Sequence, residues 1–180
     1  GGTEMPFKNK FLPLLIILST LFFLACSSNS EASGPCEESS KNDDEIITSK
    51  ICYPEKTYTI ADFEAAGLKK PKSLKADAVD KKTGERITPE AIEAHIGFYK
   101  STMGPKDIEL RFYKNHQDAL EFGVPVAEKT ISIPSEAGGA VKGAGTFAKS
   151  SYGAYAVTGN VIMLCQVQIE VCDELVNGIK

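Results

Sequence analysis

The sequence predicts an α+β domain: a small antiparallel or mixed sheet with helices packed on it and a βαββα C-terminal half. Three stretches carry this expectation. Residues 107–113 (DIELRFY) alternate apolar Ile108, Leu110 and Phe112 with Glu109, Arg111 and Tyr113, the period of a strand. Residues 152–166 read as a hairpin turning at Gly159-Asn160, with glycine in the position a II′ turn favours. Residues 169–179 put Ile169, Cys172, Val176 and Ile179 on one helical face, with Leu175 beside them.

Taken in order, the chain opens with Gly1 to Glu4, which read as an expression remnant ahead of Met5. Lys8 and Lys10 form a basic segment, and an apolar run follows from Phe11 to Leu24. As a helix this run would reach only ~21 Å, short of the roughly 30 Å hydrocarbon core. A cleaved signal over residues 5–25 is therefore expected, with an uncleaved signal anchor as the alternative. Ala25-Cys26, directly before a polar tract, resembles the lipobox of bacterial lipoproteins. The resemblance covers the leader only. It implies that the Cys26 thiol carries diacylglycerol, that the leader is cut before it, and that the new amine is acylated. The implied partner is membrane lipid, and the implied location is extracytoplasmic, on the cell membrane or outer membrane.

Residues 26–45 contain SSNSEASGPCEESSKNDDE and almost no large apolar group, so they are expected to form a flexible tether. One globular domain, residues 46–180, follows. Thr59 caps a short helix with Ile60 and Phe63 inward and Gly67 just past its end. Residues 69–86, rich in lysine with Pro71 and Thr83-Gly84, read as a solvated loop. Thr88-Pro89-Glu90 is a good helix start, and Ile92, Ile96, Tyr99 and Met103 follow at helical spacing. Gly97 weakens that helix, and HIGFYKS could instead pair as a strand with residues 107–113. Asn115 caps the next helix, which Gly123 and Pro125 kink or restart.

Residues 132–151 form a long loop rich in Gly, Ser and Ala. Within it GAGTFA (residues 143–148) fits a dinucleotide-loop pattern. No strand leads into it and no acid follows at ribose-binding distance, so it carries no cofactor expectation. In the hairpin, Val157 should face Ile162 and Tyr155 should face Leu164. Ala154 and Ala156 should meet Met163 and Cys165. Both faces are apolar, so the hairpin should be central in the sheet.

The formal net charge of −4 argues against nucleic acid, and against adsorption to anionic lipid by charge. Of five cysteines, Cys36, Cys52, Cys165 and Cys172 lie beyond the leader. An even count in an exported chain reads as two disulfides. Three connectivities are open, and the sequential pairs Cys36–Cys52 and Cys165–Cys172 are favoured. Neither pair has the C-x-x-C spacing of metal or thioredoxin-like sites, so no metal is expected.

No H-E-x-x-H and no G-x-S-x-G occurs, so no catalytic residue is assigned. Both histidines, His95 and His116, are expected to be structural. The residues that could bind a ligand are His95, Tyr99, Glu109, Arg111 and Tyr113. The last three form a polar strand face that would hold an anion or simply face solvent. The expected function is a membrane-anchored extracytoplasmic lipoprotein acting as a non-catalytic binding or envelope-scaffold module, with an envelope protein as a second candidate partner. The alternative is a small extracytoplasmic enzyme or thiol-redox protein.

Overall fold

A computed structural model describes residues 1–2, 36–132 and 152–179. The leader with Cys26, and the GAGTFA stretch, lie outside the described residues. The elements run β1 (Cys36–Lys41), β2 (Ile47–Cys52), α1 (Ile60–Ala65), β3 (Lys69–Leu74), β4 (Glu93–Ser101) and β5 (Gly104–Phe112). They continue through α2 (His116–Asp118), a π-helical turn (Ala119–Gly123), α3 (Val124–Ile131), β6 (Tyr152–Thr158), β7 (Val161–Gln166) and α4 (Ile169–Asn177). All belong to one unit, Ala32–Lys180.

The fold is α+β, and the sheet is mixed and larger than expected. Its seven strands run in the order β1-β2-β6-β7-β5-β4-β3. Every described pairing is antiparallel except β2 with β6. The β6–β7 hairpin is central, as its two apolar faces require. Its register pairs Tyr155 with Leu164, Val157 with Ile162, Ala154 with Cys165 and Ala156 with Met163. At the turn Gly159 takes φ +56° and Asn160 stays at negative φ, the II′ pattern.

Four further strands account for the larger sheet, and one of them, β2, lies at the start of the expected domain. β1 lies inside the stretch expected to be tether, so that stretch holds a strand from Cys36. Its polar residues suit it because it is an edge, paired on one side only with β2. β3 (KKPKSL) is the opposite edge. Lysines are tolerated there, and Pro71 falls in the register shift between Lys69 and Lys72, where no ladder N–H is needed. β4 replaces the helix expected from Thr88. Glu90 adopts φ +55°, which breaks a helix at its first turn. The helical periodicity was coincidental: Ile92 is 67% exposed and Met103 38%. Gly97 has its own reason, since a Cβ there would lie 3.0 Å from Leu68 Cγ and from the Lys69 carbonyl oxygen.

The sheet is sandwiched. On one face α1 and α4 pack over Ile108, Leu110, Phe112, Met163 and Cys165. Thr59 and Asp62 close a capping box on α1. Both disulfides, Cys36–Cys52 and Cys165–Cys172, belong to this side. On the other face the α2–α3 rod covers Tyr113, Tyr155, Val157, Ile162 and Leu164. The Asn115 side chain accepts from Asp118 N at 2.8 Å, and Pro125 sits in the first turn of α3. Gly123 lets the rod descend: a Cβ there would lie 2.5 Å from Ile162 Cγ1 and 2.9 Å from the Tyr113 hydroxyl.

Candidate functional site

Alternation along β5 sends Glu109 and Arg111 to the α2–α3 side, where no solvent waits. Glu109 is 2% exposed and Arg111 0%. Tyr113, just past the strand, is also buried. The solvent-facing alternative for these residues is therefore corrected: all three side chains are buried. Arg111 Nε donates to Glu109 Oε1 at 2.8 Å. The Tyr152 hydroxyl donates to Glu109 Oε2 at 3.2 Å. A bulge at Gly153 brings Tyr152 to this side, and no larger residue fits there, since a Cβ would lie 1.8 Å from the Val167 carbonyl oxygen.

A guanidinium has five N–H donors. Arg111 Nη1 and Nη2 are buried and, among the described residues, have no hydrogen-bond partner. The Tyr113 hydroxyl and Arg86 Nε share that condition. Burial pushes the Tyr113 pKa up to about 12; Arg111 and Arg86 oppose that rise and Glu109 adds to it. The hydroxyl therefore stays protonated at neutral pH and can donate. Buried donors without acceptors are rare and costly, which marks this cluster as unusual.

Beside it lies a groove of about 340 Å³, with Leu74, Ala76, Ala91, Ile92, Ala94 and Arg86 on its walls. Arg86 is held by its own fork: Nη2 donates to the carbonyls of Ala76 at 3.1 Å and Ala91 at 2.9 Å. The Thr88 hydroxyl also donates to the Ala76 carbonyl, at 2.7 Å, fixing the turn. Ala94 is the β4 residue directly opposite Arg111. Neither Arg86 nor Tyr152 was singled out in the sequence, where Arg86 sits in a run that reads as loop.

The other expected ligand residues are elsewhere. His95 is paired with Leu110, so it faces the α1–α4 side. Its Nε2 hydrogen-bonds the Glu93 carboxylate, and its ring meets Phe112 edge-on at 5.9 Å. Tyr99 donates to the Glu174 carbonyl at 3.4 Å, tying β4 to α4. The sheet thus separates His95 and Tyr99 from Glu109, Arg111 and Tyr113. His116 Nδ1 contacts the Gly159 carbonyl oxygen at 2.7 Å, bracing the hairpin turn. Among the described residues no group of three His, Cys, Asp or Glu side chains could hold a metal ion.

Fold and site together define an α+β sandwich domain with a buried arginine–glutamate pair on one side of its sheet, in which Arg111 Nη1 and Nη2 have no hydrogen-bond partner among the described residues. Over residues 59–138 the chain is similar to a family of unknown function (DUF6810). That stretch spans α1 through α3 and holds Arg86, Glu109, Arg111 and Tyr113. No curated protein and no solved structure matches the chain.

Proposed function

We propose that the chain is a lipid-anchored extracytoplasmic lipoprotein whose domain is a non-catalytic binding or scaffold module of the cell envelope. The observation that carries this reading is the pair of disulfides, since such bonds persist in oxidising compartments. The resemblance of Ala25-Cys26 to a lipobox supports it independently. Among the described residues no helix is long and apolar enough to cross a membrane. In this reading the anchor is lipid on Cys26, as the lipobox resemblance implies. One acyl chain binds reversibly and two or more anchor stably.

The thiol-redox alternative is less well supported. Cys52, Cys165 and Cys172 are fully buried, and exchange requires a thiolate to reach a disulfide sulfur.

Mass spectrometry of the membrane-extracted protein tests the reading. The expected mass is that of a chain beginning at an acylated Cys26, and Cys26→Ser should leave the protein unprocessed and without lipid. A retained leader or a bare thiol overturns the anchor. Cross-linking in intact cells tests the module: recovery of a specific envelope protein supports a scaffold, and recovery of none removes it.

A further inference from the structure

The sheet has two open edges, and their charges are opposite. β1 and β3 stand at the two ends of the strand order, so each is paired on one side only among the described residues. Residues 36–45, which hold β1 and the turn after it, carry five carboxylates (Glu37, Glu38, Asp43, Asp44 and Glu45) against one lysine, Lys41. Residues 69–75, which hold β3, carry four lysines (Lys69, Lys70, Lys72 and Lys75) and no acid. All of these side chains are exposed. Lys41 lies 3.6 Å from Glu38 and 3.9 Å from Glu45, which offsets part of the acidic edge. The four lysines of the other edge are in no ion pair among the described residues. The formal net charge of −4 therefore averages over two edges of different sign.

An edge strand presents a row of unpaired N–H and C=O groups, which is a template for another strand. Each edge here is regular over a short stretch only. β1 holds its register from Cys36 to Glu38 and slips before Ser40. β3 holds its register from Lys72 to Leu74 and slips between Lys69 and Lys72. Pro71, which has no N–H to offer, falls outside the regular stretch. Pairing like edges would set carboxylates opposite carboxylates or lysines opposite lysines, and both arrangements repel. Pairing β1 of one copy with β3 of another sets opposite charges across the contact.

We propose that β1 of one copy docks on β3 of a second copy of this chain, Cys36–Glu38 beside Lys72–Leu74, so that copies join head to tail. The two surfaces differ, so each pair keeps one free edge of each kind and the contact repeats. The short regular stretches and screening by salt keep it reversible. This deepens the scaffold reading above and rests on it for its purpose, but not on the lipid, since the edges are the same whether or not Cys26 is acylated. A monomer with an acylated Cys26 would sink the edge contact and leave the anchor standing.

The test is sedimentation velocity of the full-length protein in non-ionic detergent, with zero-length carbodiimide cross-linking of an equal mixture of ordinary and nitrogen-15 protein. Assemblies should form at about 0.01 M salt, where charges act over ~30 Å, and be lost at about 1 M, where they act over ~3 Å. Cross-links between Glu37 or Glu38 and Lys72 or Lys75 should join one ordinary and one labelled chain. Reversing the basic edge (Lys70→Glu, Lys72→Glu, Lys75→Glu) should give a monomer. Reversing the acidic edge (Glu37→Lys, Glu38→Lys, Asp43→Lys) should do the same. All six positions are exposed, so circular dichroism should be unchanged. Mixing the two variants should restore association, because each supplies the edge the other needs. A monomer at low salt overturns the proposal. So does association that survives in both variants, or cross-links confined to single chains. If the lysines of residues 69–75 are instead shielded from an amine reagent in phosphatidylglycerol vesicles but not in phosphatidylcholine vesicles, the basic edge belongs to lipid headgroups and the proposal fails.

Discussion

The two faces of the sheet are finished by different chemistry. The α1–α4 face is apolar and stapled: both disulfides lie in it, and Phe63, Phe112, Met163 and Leu175 fill it. The α2–α3 face has no disulfide among the described residues and contains a buried ion pair with spare donors. The first arrangement maximises stability. A buried ion pair does not, because desolvation of two charges consumes most of the attraction between them. The first face therefore contributes more to holding the domain together than the second.

Breaking the ion pair should therefore have the largest effect. Arg111→Met leaves the Glu109 carboxylate buried without its guanidinium, and a loss of about 3–5 kcal/mol is expected in urea unfolding. The double variant Arg111→Met/Glu109→Leu should recover most of that loss or exceed the wild type. A single variant as stable as the wild type would show that the pair is hydrated rather than buried. On the opposite face, removing Cys36–Cys52 by paired alanine substitution should cost about 3 kcal/mol, from the loop of 16 residues it closes. No compensating double exists there, because a staple has no desolvation cost to relieve.

These contrasts also show what could be read from the sequence. The hairpin was legible to the residue because Ala154, Val157, Ile162 and Met163 leave it no polar face and Gly159-Asn160 leaves it one register. The edges were not. β3 is made of lysines and a proline, and only its pairing with β4 makes it a strand. β4 carries apolar residues at both helical and strand spacing, and tertiary pairing decided between them. The site was half legible. Glu109 and Arg111 stood out as a charged pair two residues apart, but they read as solvent-facing. The signal that they were buried lay in β7: Ile162 and Leu164, their cross-strand partners, needed cover on the same side. Arg86 gave no signal, because its role depends on carbonyls brought to it by the turn.

The fit of the rod over the second face can be probed next. Gly123→Ala places a Cβ against Ile162 and Tyr113, and both neighbours must shift. Overpacking of this kind should cost about 1–3 kcal/mol, read as a lower urea midpoint with an unchanged slope. The equivalent change on the other face, at an exposed position of α4 such as Glu170→Ala, should move the midpoint little.

The smallest effect is electrostatic and appears only in alkali. Tyr113 has a folded pKa pushed from 10.0 to about 12, chiefly by burial. Below pH 10 both states keep the proton, and the hydroxyl contributes nothing to the pH dependence. Above it the unfolded chain releases the proton while the folded chain retains it. The unfolded state then binds fewer protons, so stability falls as pH rises, by up to about 1.4 kcal/mol per unit until the folded pKa is reached. Tyr155 on the same face and Tyr58 on the other are also raised by burial and act in the same direction. Tyr113→Phe separates the contributions. It removes a buried donor that has no described acceptor, so stability at neutral pH should hold or rise, and the alkaline loss should become shallower. Unfolding free energies at pH 8, 10 and 11 would measure this. Identical slopes in the variant and the wild type would mean that Tyr113 is in contact with water, and the second face would then be as open as the sequence alone suggested.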